Sequence, residues 1–131
     1  MIRQGSGKII NIASLHTHVS LNGMVPYAAS KGSIGSMTRA LAVEWARYNI
    51  QVNAIAPGFI LTDLNAKLWE NPTMLNWAKE RTPAGRLGQR DDLIGAAIFL
   101  ASGASDFITG QVLYVDGGFT AGQMWPLEVP R

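Results

Sequence analysis

The chain contains no cysteine, which excludes a disulfide scaffold, cysteine-ligated zinc and thiolate catalysis. It is also poor in charge. Asp, Glu, Lys and Arg make up 15% of the 131 residues, and 11 basic against 9 acidic side chains leave a formal charge of +2. The basic residues are scattered, with no run that would draw a nucleic-acid backbone, so no nucleic-acid partner is expected. Long hydrophobic runs are missing too. Met1 to Ser6 is polar, and the apolar run after it breaks at Asn11, far short of a signal or membrane-spanning segment. The expectation is a cytoplasmic protein with no membrane partner. There is no repeat, no low-complexity segment and no composition shift marking a boundary, so residues 1–131 read as one unit.

What is present is an ordinary globular composition, 47% hydrophobic. Lys8 to Ala13, rich in isoleucine and preceded by Gly5 and Gly7, reads as a buried strand. Residues 15–26 carry Asn22, Gly23 and Pro26 without helical periodicity and read as a loop. From Tyr27 to about Tyr48, Ile34, Met37, Leu41, Trp45 and Tyr48 recur every three or four residues, the stripe of an amphipathic helix. Its first turns are filled with Ala, Ser and Gly, small residues that permit close approach, Ser and Gly at a cost in helix propensity. Ile50 to Ala56 makes a second strand, stopped by Pro57. Thr62 to Arg81 reads as two short helices on a mobile flap, broken at Pro72. Asp91 and Asp92 would cap a helix through Ile94, Ala97, Ile98 and Ala101. Gln111 to Val115 is a third strand, and the tail with Trp125, Pro126 and Pro130 has no usable pattern. Strands alternating with helices predict an α/β fold with about three parallel strands.

Tyr27 and Lys31 are four apart at the start of a helix and so share a face. An ammonium beside a phenol favours the phenolate, which makes Tyr27 a candidate acid/base. On its own this spacing describes an exposed helix pair equally well. Ser14 follows the first strand at its carboxyl end, where open parallel sheets place ligand-contacting groups, although it could simply cap a turn. Pro57 and Gly58 hold the same place after the second strand, and Thr62 could cap the next helix. His16 and His18 alternate in the loop after Ser14, a spacing that argues poorly for a metal, and no metal site is expected. Met24, Trp69 and Trp77 could line a pocket or only pack under the flap.

Taken in order, Asn11-Ile-Ala-Ser14, Tyr27-Ala-Ala-Ser-Lys31, Asn53-Ala-Ile-Ala-Pro57-Gly58 and Val115-Asp-Gly-Gly118 resemble the short-chain dehydrogenase/reductase family, over nearly the whole chain from Gly7 to Gly118. The resemblance implies the carboxyl-terminal portion of a Rossmann-like, doubly wound parallel sheet. It also implies NAD or NADP as cofactor and a small-molecule secondary alcohol or ketone as substrate. Ser14 would then hydrogen-bond the reacting oxygen, Tyr27 would exchange the proton, and Lys31 would support Tyr27 and hold the nicotinamide ribose. Pro57 and Gly58 would flank the nicotinamide, Ile60 would meet its carboxamide through the main chain, and Thr62 would touch carboxamide or pyrophosphate. His16, His18 and Met24 fall in the loop that faces substrate in such enzymes. The segments Arg81 to Gly88 and Asp106 to Gly110 look most like members acting on sugar acids and polyols, such as gluconate 5-dehydrogenase, with 3-oxoacyl carrier-protein reductases second.

The same pattern leads one to expect a glycine-rich phosphate turn between a strand and a helix, a residue choosing NAD or NADP, and an Asn-Asn-Ala-Gly segment. None is present, and the chain corresponds to the family from just before its fifth strand. The expectation is therefore a partial dinucleotide-binding domain whose first strand exposes an edge. Such a chain would form homo-oligomers or pair with a separate amino-terminal half. The alternative to an active oxidoreductase is a truncated, inactive fragment or pseudoenzyme that only associates.

Overall fold

The computed structural model describes residues 1–123 and 125; Pro126 and Pro130 of the patternless tail lie outside the described residues. The elements run β1 (Gly7–Ile12), α1 (Val25–Trp45), β2 (Ile50–Pro57), α2 (Ala66–Trp69), α3 (Pro72–Arg81), α4 (Ile94–Ala101) and β3 (Val112–Val115). Their sheet has the order β1-β2-β3 and is parallel throughout, with Gly7 opposite Ile50 and Ala54 opposite Val112. As the central strand, β2 is buried from Ile50 to Ala56, its apolar residues interrupted by the buried polar side chains of Gln51 and Asn53. Full burial of each large aliphatic side chain here, such as Ile50, Val52 or Ile55, stabilises the fold by roughly 1.5–3 kcal/mol.

Alternation along β1 sends neighbouring residues to opposite faces. Ile9 joins the cluster of Ala42, Ile50 and Val52, and the Asn11 amide donates to Thr38 Oγ1 on α1 at 3.0 Å. Lys8 reaches the other way, to Ser105 Oγ at 3.2 Å and Asp106 at 2.7 Å, just after α4. Helices thus cover both faces, the doubly wound arrangement expected. No described helix is long and apolar enough to cross a membrane.

Five details differ from expectation. Helix α1 starts at Val25, two residues early, because Pro26 sits in its first turn, where a missing N–H costs nothing. Its buried line is Gly35, Thr38 and Ala42; Ile34, Leu41, Trp45 and Tyr48 flank that line, while Met37 is exposed. Strand β2 continues through Pro57, opposite Val115. Even-numbered residues of β2 donate toward β3, so the Pro57 nitrogen faces the β1 side, past the last paired residue Ile12. Pro72 opens α3 rather than merely breaking the flap, with Asn71 Oδ1 accepting from Thr73 and Met74 N–H. Ahead of α4, Arg90–Leu93 forms a 3-10 turn. There the Asp92 carboxylate accepts from the Gln89 N–H at 2.6 Å and takes a bidentate pair from Arg86, which holds its carboxyl well below the usual carboxylate range.

Candidate active site

The carboxyl ends of β1 and β2 open onto a cleft of about 780 Å³, within the range of small-molecule sites. Ser14 follows β1 in extended conformation, buried, and its Oγ accepts from the His16 N–H at 3.3 Å, starting a 3-10 turn over Leu15–Thr17. As an acceptor in that bond, the hydroxyl keeps its own proton to donate. Thr17 Oγ1 donates to the Lys31 carbonyl at 3.1 Å, which ties this turn to α1. From α1, Lys31 Nζ donates to the Ile12 carbonyl at 3.0 Å, so the ammonium stands at the end of β1. Tyr27, one turn earlier, is partly exposed and packs edge-on against His16, ring centroids 5.2 Å apart at 89°.

Beyond β2, Gly58 packs so close to β3 that a Cβ would lie 2.7 Å from Asp116 Cα. The following loop is held main chain to main chain, Gly88 N–H donating to the Phe59 carbonyl at 2.8 Å and Leu61 N–H to the Gly88 carbonyl at 2.9 Å. Asn65 completes it: its Oδ1 accepts from the Thr62 N–H and its Nδ2 donates to the Ile60 carbonyl, both at 2.8 Å. The flap helices α2 and α3 cover the other wall through an aromatic cluster in which Phe59 meets Trp69 at 5.6 Å and Trp77 at 5.8 Å.

Ser14, His16, Met24, Tyr27 and Lys31 line this one cleft, as do Pro57, Gly58, Ile60 and Thr62. Residues 44 positions apart in sequence, Ser14 and Gly58, therefore converge. His18 does not join them. It is exposed and lies edge-on to Tyr114 at 6.0 Å, because the 3-10 turn carries successive histidines to different sides. Trp69 and Trp77 both line the cleft and pack within it. Asn65 was not anticipated, although an asparagine three residues after Thr62 is the spacing of a side-chain turn brace. Asp116 of the Val115–Gly118 motif acts as another brace, accepting from Gly118 N–H and from both donors of Thr120, while Gly117 and Gly118 take positive φ of 63° and 90°. Burial pushes His16 below its ordinary value of 6.5. Among the described residues, no group of three or more His, Asp or Glu could hold a metal ion.

A family model described as enoyl-(acyl carrier protein) reductase matches residues 1–120. Gluconate 5-dehydrogenase of Gluconobacter oxydans is 45% identical over 120 residues, covering 92% of this chain and 47% of that protein. The solved structure of a gluconate 5-dehydrogenase from Burkholderia cenocepacia, in complex with NADP and tartrate, superposes with a TM-score of 0.90 at 50% identity, covering 92% of this chain and 48% of that one. A short-chain type dehydrogenase/reductase from Mycobacterium ulcerans gives a TM-score of 0.90 at 32% identity, covering 94% and 45%. The chain spans about half the length of the relatives it matches. With its Ser, Tyr and Lys set on one cleft, its parallel sheet and a family match over 1–120, the chain belongs to the short-chain dehydrogenase/reductase family.

Proposed function

We propose that this chain carries the catalytic portion of an NAD(P)-dependent oxidoreductase that interconverts a secondary alcohol and a ketone, on a sugar acid or polyol. The observation that carries this reading is the convergence of Ser14, Tyr27 and Lys31 on the cleft bounded by Pro57, Gly58, Ile60 and Thr62. The relatives named for gluconate, and the one solved with NADP and tartrate, support the substrate and cofactor class. They also weigh against the inactive-fragment alternative.

The dinucleotide would supply the hydride acceptor in oxidation and the donor in reduction. The residues present fit its nicotinamide end. Lys31 spends one N–H on Ile12 and keeps further donors for ribose hydroxyls. Asn65 fixes the main chain at Ile60 and Thr62, so that cradle is organised beforehand. Ser14 donates to the substrate oxygen. Tyr27 takes the hydroxyl proton as the hydride leaves the carbon, and returns it to the oxygen in reduction. Tyr27 therefore starts oxidation as the tyrosinate and starts reduction as the phenol, and the Lys31 cation stabilises the tyrosinate form. A cytoplasmic setting accords with soluble substrates of this class. Exposed Ile94, Ile98 and Phe99 on α4 support association into homo-oligomers.

Turnover of gluconate with NAD⁺ or NADP⁺, and of 5-ketogluconate with the reduced cofactors, tests the proposal. Tyr27→Phe is expected to lower turnover by on the order of 10²-fold or more without abolishing cofactor binding measured by calorimetry. Undiminished turnover in Tyr27→Phe, or no binding of either cofactor at millimolar concentration, would refute it. Turnover of 3-oxoacyl thioesters in place of sugar acids would move the substrate class and leave the chemistry.

A further inference from the structure

Among the described residues, two buried side-chain polar atoms lack a hydrogen-bond partner, His16 Nδ1 and Trp69 Nε1. Both residues line the same cleft, from opposite walls: His16 in the turn after β1, Trp69 at the end of α2. Each is 8% exposed, and each ring is set by an edge contact, His16 on Tyr27 and Trp69 on Phe59. Buried polar groups are ordinarily satisfied, so an unpaired one in a binding cleft points to a partner that arrives with the ligand. Two such atoms in residues that line one cleft call for a ligand rich in oxygen.

Charge narrows the ligand further. No Asp or Glu lines the cleft, and its ionisable groups besides His16 are Tyr27 and Lys31, both on α1. The flap helices and the loop after β2 contribute none to the lining. An anion therefore enters without repulsion and toward a cation.

Resting on the oxidoreductase reading above, we propose that His16 and Trp69 are the substrate-reading residues of this site, and that they read a small polyhydroxy carboxylate. Trp69 donates from Nε1 to a hydroxyl or carboxylate oxygen, and His16 pairs its imidazole with the carboxylate. Both atoms are covered, so a rotation of each ring about its Cβ–Cγ bond accompanies engagement. Burial holds His16 neutral in the empty cleft; a carboxylate beside it favours the imidazolium, so binding takes up a proton. The hydrocarbon part of an acyl thioester offers neither an acceptor to Trp69 nor a charge to His16. An uncharged polyol satisfies Trp69 alone.

Proton-detected NMR of the full chain, with and without NAD⁺ or NADP⁺, tests this directly, titrating D-gluconate and, separately, sorbitol. Trp69→Phe and His18→Asn assign the Trp69 indole and His16 imidazole signals. Gluconate is expected to shift both signals and raise the His16 titration midpoint, and sorbitol to shift Trp69 alone. Trp69→Phe, which keeps the ring packing, weakens gluconate binding roughly tenfold or more, as loss of one hydrogen bond to a charged group does. His16→Asn weakens gluconate comparably and leaves sorbitol unchanged. If gluconate leaves both signals unmoved, or an acyl thioester moves them equally, the proposal is wrong. Binding as expected without turnover would leave this pair standing and remove the oxidoreductase reading; turnover with unmoved signals would do the reverse.

Discussion

Asn53 stands at the centre of β2, 1% exposed, and its amide staples the segment that enters β3. Its Nδ2 donates to the Ile108 carbonyl at 2.8 Å and its Oδ1 accepts from the Gln111 N–H at 3.0 Å. Asn53→Ala removes the side chain and leaves both backbone groups behind. A buried group left unpaired costs about 1–3 kcal/mol. Gln111 is exposed and Ile108 half-buried, so water recovers part of that, and the total comes to about 2–4 kcal/mol. The loop keeps other ties, Val52 N–H to Thr109 Oγ1 at 3.0 Å and Gly110 N–H to the Val52 carbonyl at 2.7 Å, so the variant folds. Urea unfolding followed by tryptophan fluorescence and far-UV circular dichroism is the assay. With a slope of about 1–3 kcal/mol/M, the midpoint is expected to fall by roughly 1–2 M at unchanged slope. Asn53→Asp, which keeps the acceptor but loses the donor and buries a charge, should be at least as damaging. A loss below about 0.5 kcal/mol in Asn53→Ala, the level of an ordinary surface change, would refute the account of Asn53 as the staple between β2 and β3.

Gly58→Ala places a Cβ 2.7 Å from Asp116 Cα and 2.8 Å from its Cβ. Backbone cannot give way as a side chain tip can, so a cost of about 1–3 kcal/mol is expected, with weaker cofactor binding as the loop to Ile60 shifts. A melting temperature and a cofactor affinity both unchanged would contradict this. His16 is held below its ordinary 6.5 by burial, so below pH 6.5 the unfolded chain takes up its proton first. The stability associated with neutral His16, present above pH 6.5, is lost as pH falls through the folded value. His16→Asn should therefore flatten the stability profile on the acid side of 6.5 relative to the parent, and parallel profiles would sink the argument.

Element order and parallel pairing were legible because β1 and β2 are short segments rich in Ile, Val and Ala and α1 is long. The boundaries that slipped share one cause. Pro26 and Pro57 read as breakers, yet each sits where its missing N–H is not needed, the first turn of α1 and the outer side of β2 beyond Ile12. Local chemistry alone does not reveal which neighbour an N–H would have met. The cleft residues were legible as motifs, whereas His18 separated from His16 through a 3-10 turn that no periodicity announced. The brace at Asn65 and the place of Trp69 in the same cleft as His16 depend on how the flap folds back, information carried by tertiary contact rather than by spacing.

The small residues of α1 show how the two kinds of information join. Gly and Ser weaken the first turns of the helix, a cost that looks like poor design when the segment is read alone. In the fold, a Cβ at Gly35 would stand 2.5 Å from Thr17 Cγ2, so glycine is what lets the turn after β1 lie against the helix. That approach allows Thr17 to bond the Lys31 carbonyl, and Thr17 closes the turn that Ser14 caps and that holds His16. Ser14 comes from a strand and Tyr27 and Lys31 from a helix, so their relative placement depends on this contact. Helix propensity has been surrendered where the geometry of the cleft requires the Thr17 side chain to lie against the backbone of the helix, which is where agreement between local and global preference is expected to fail.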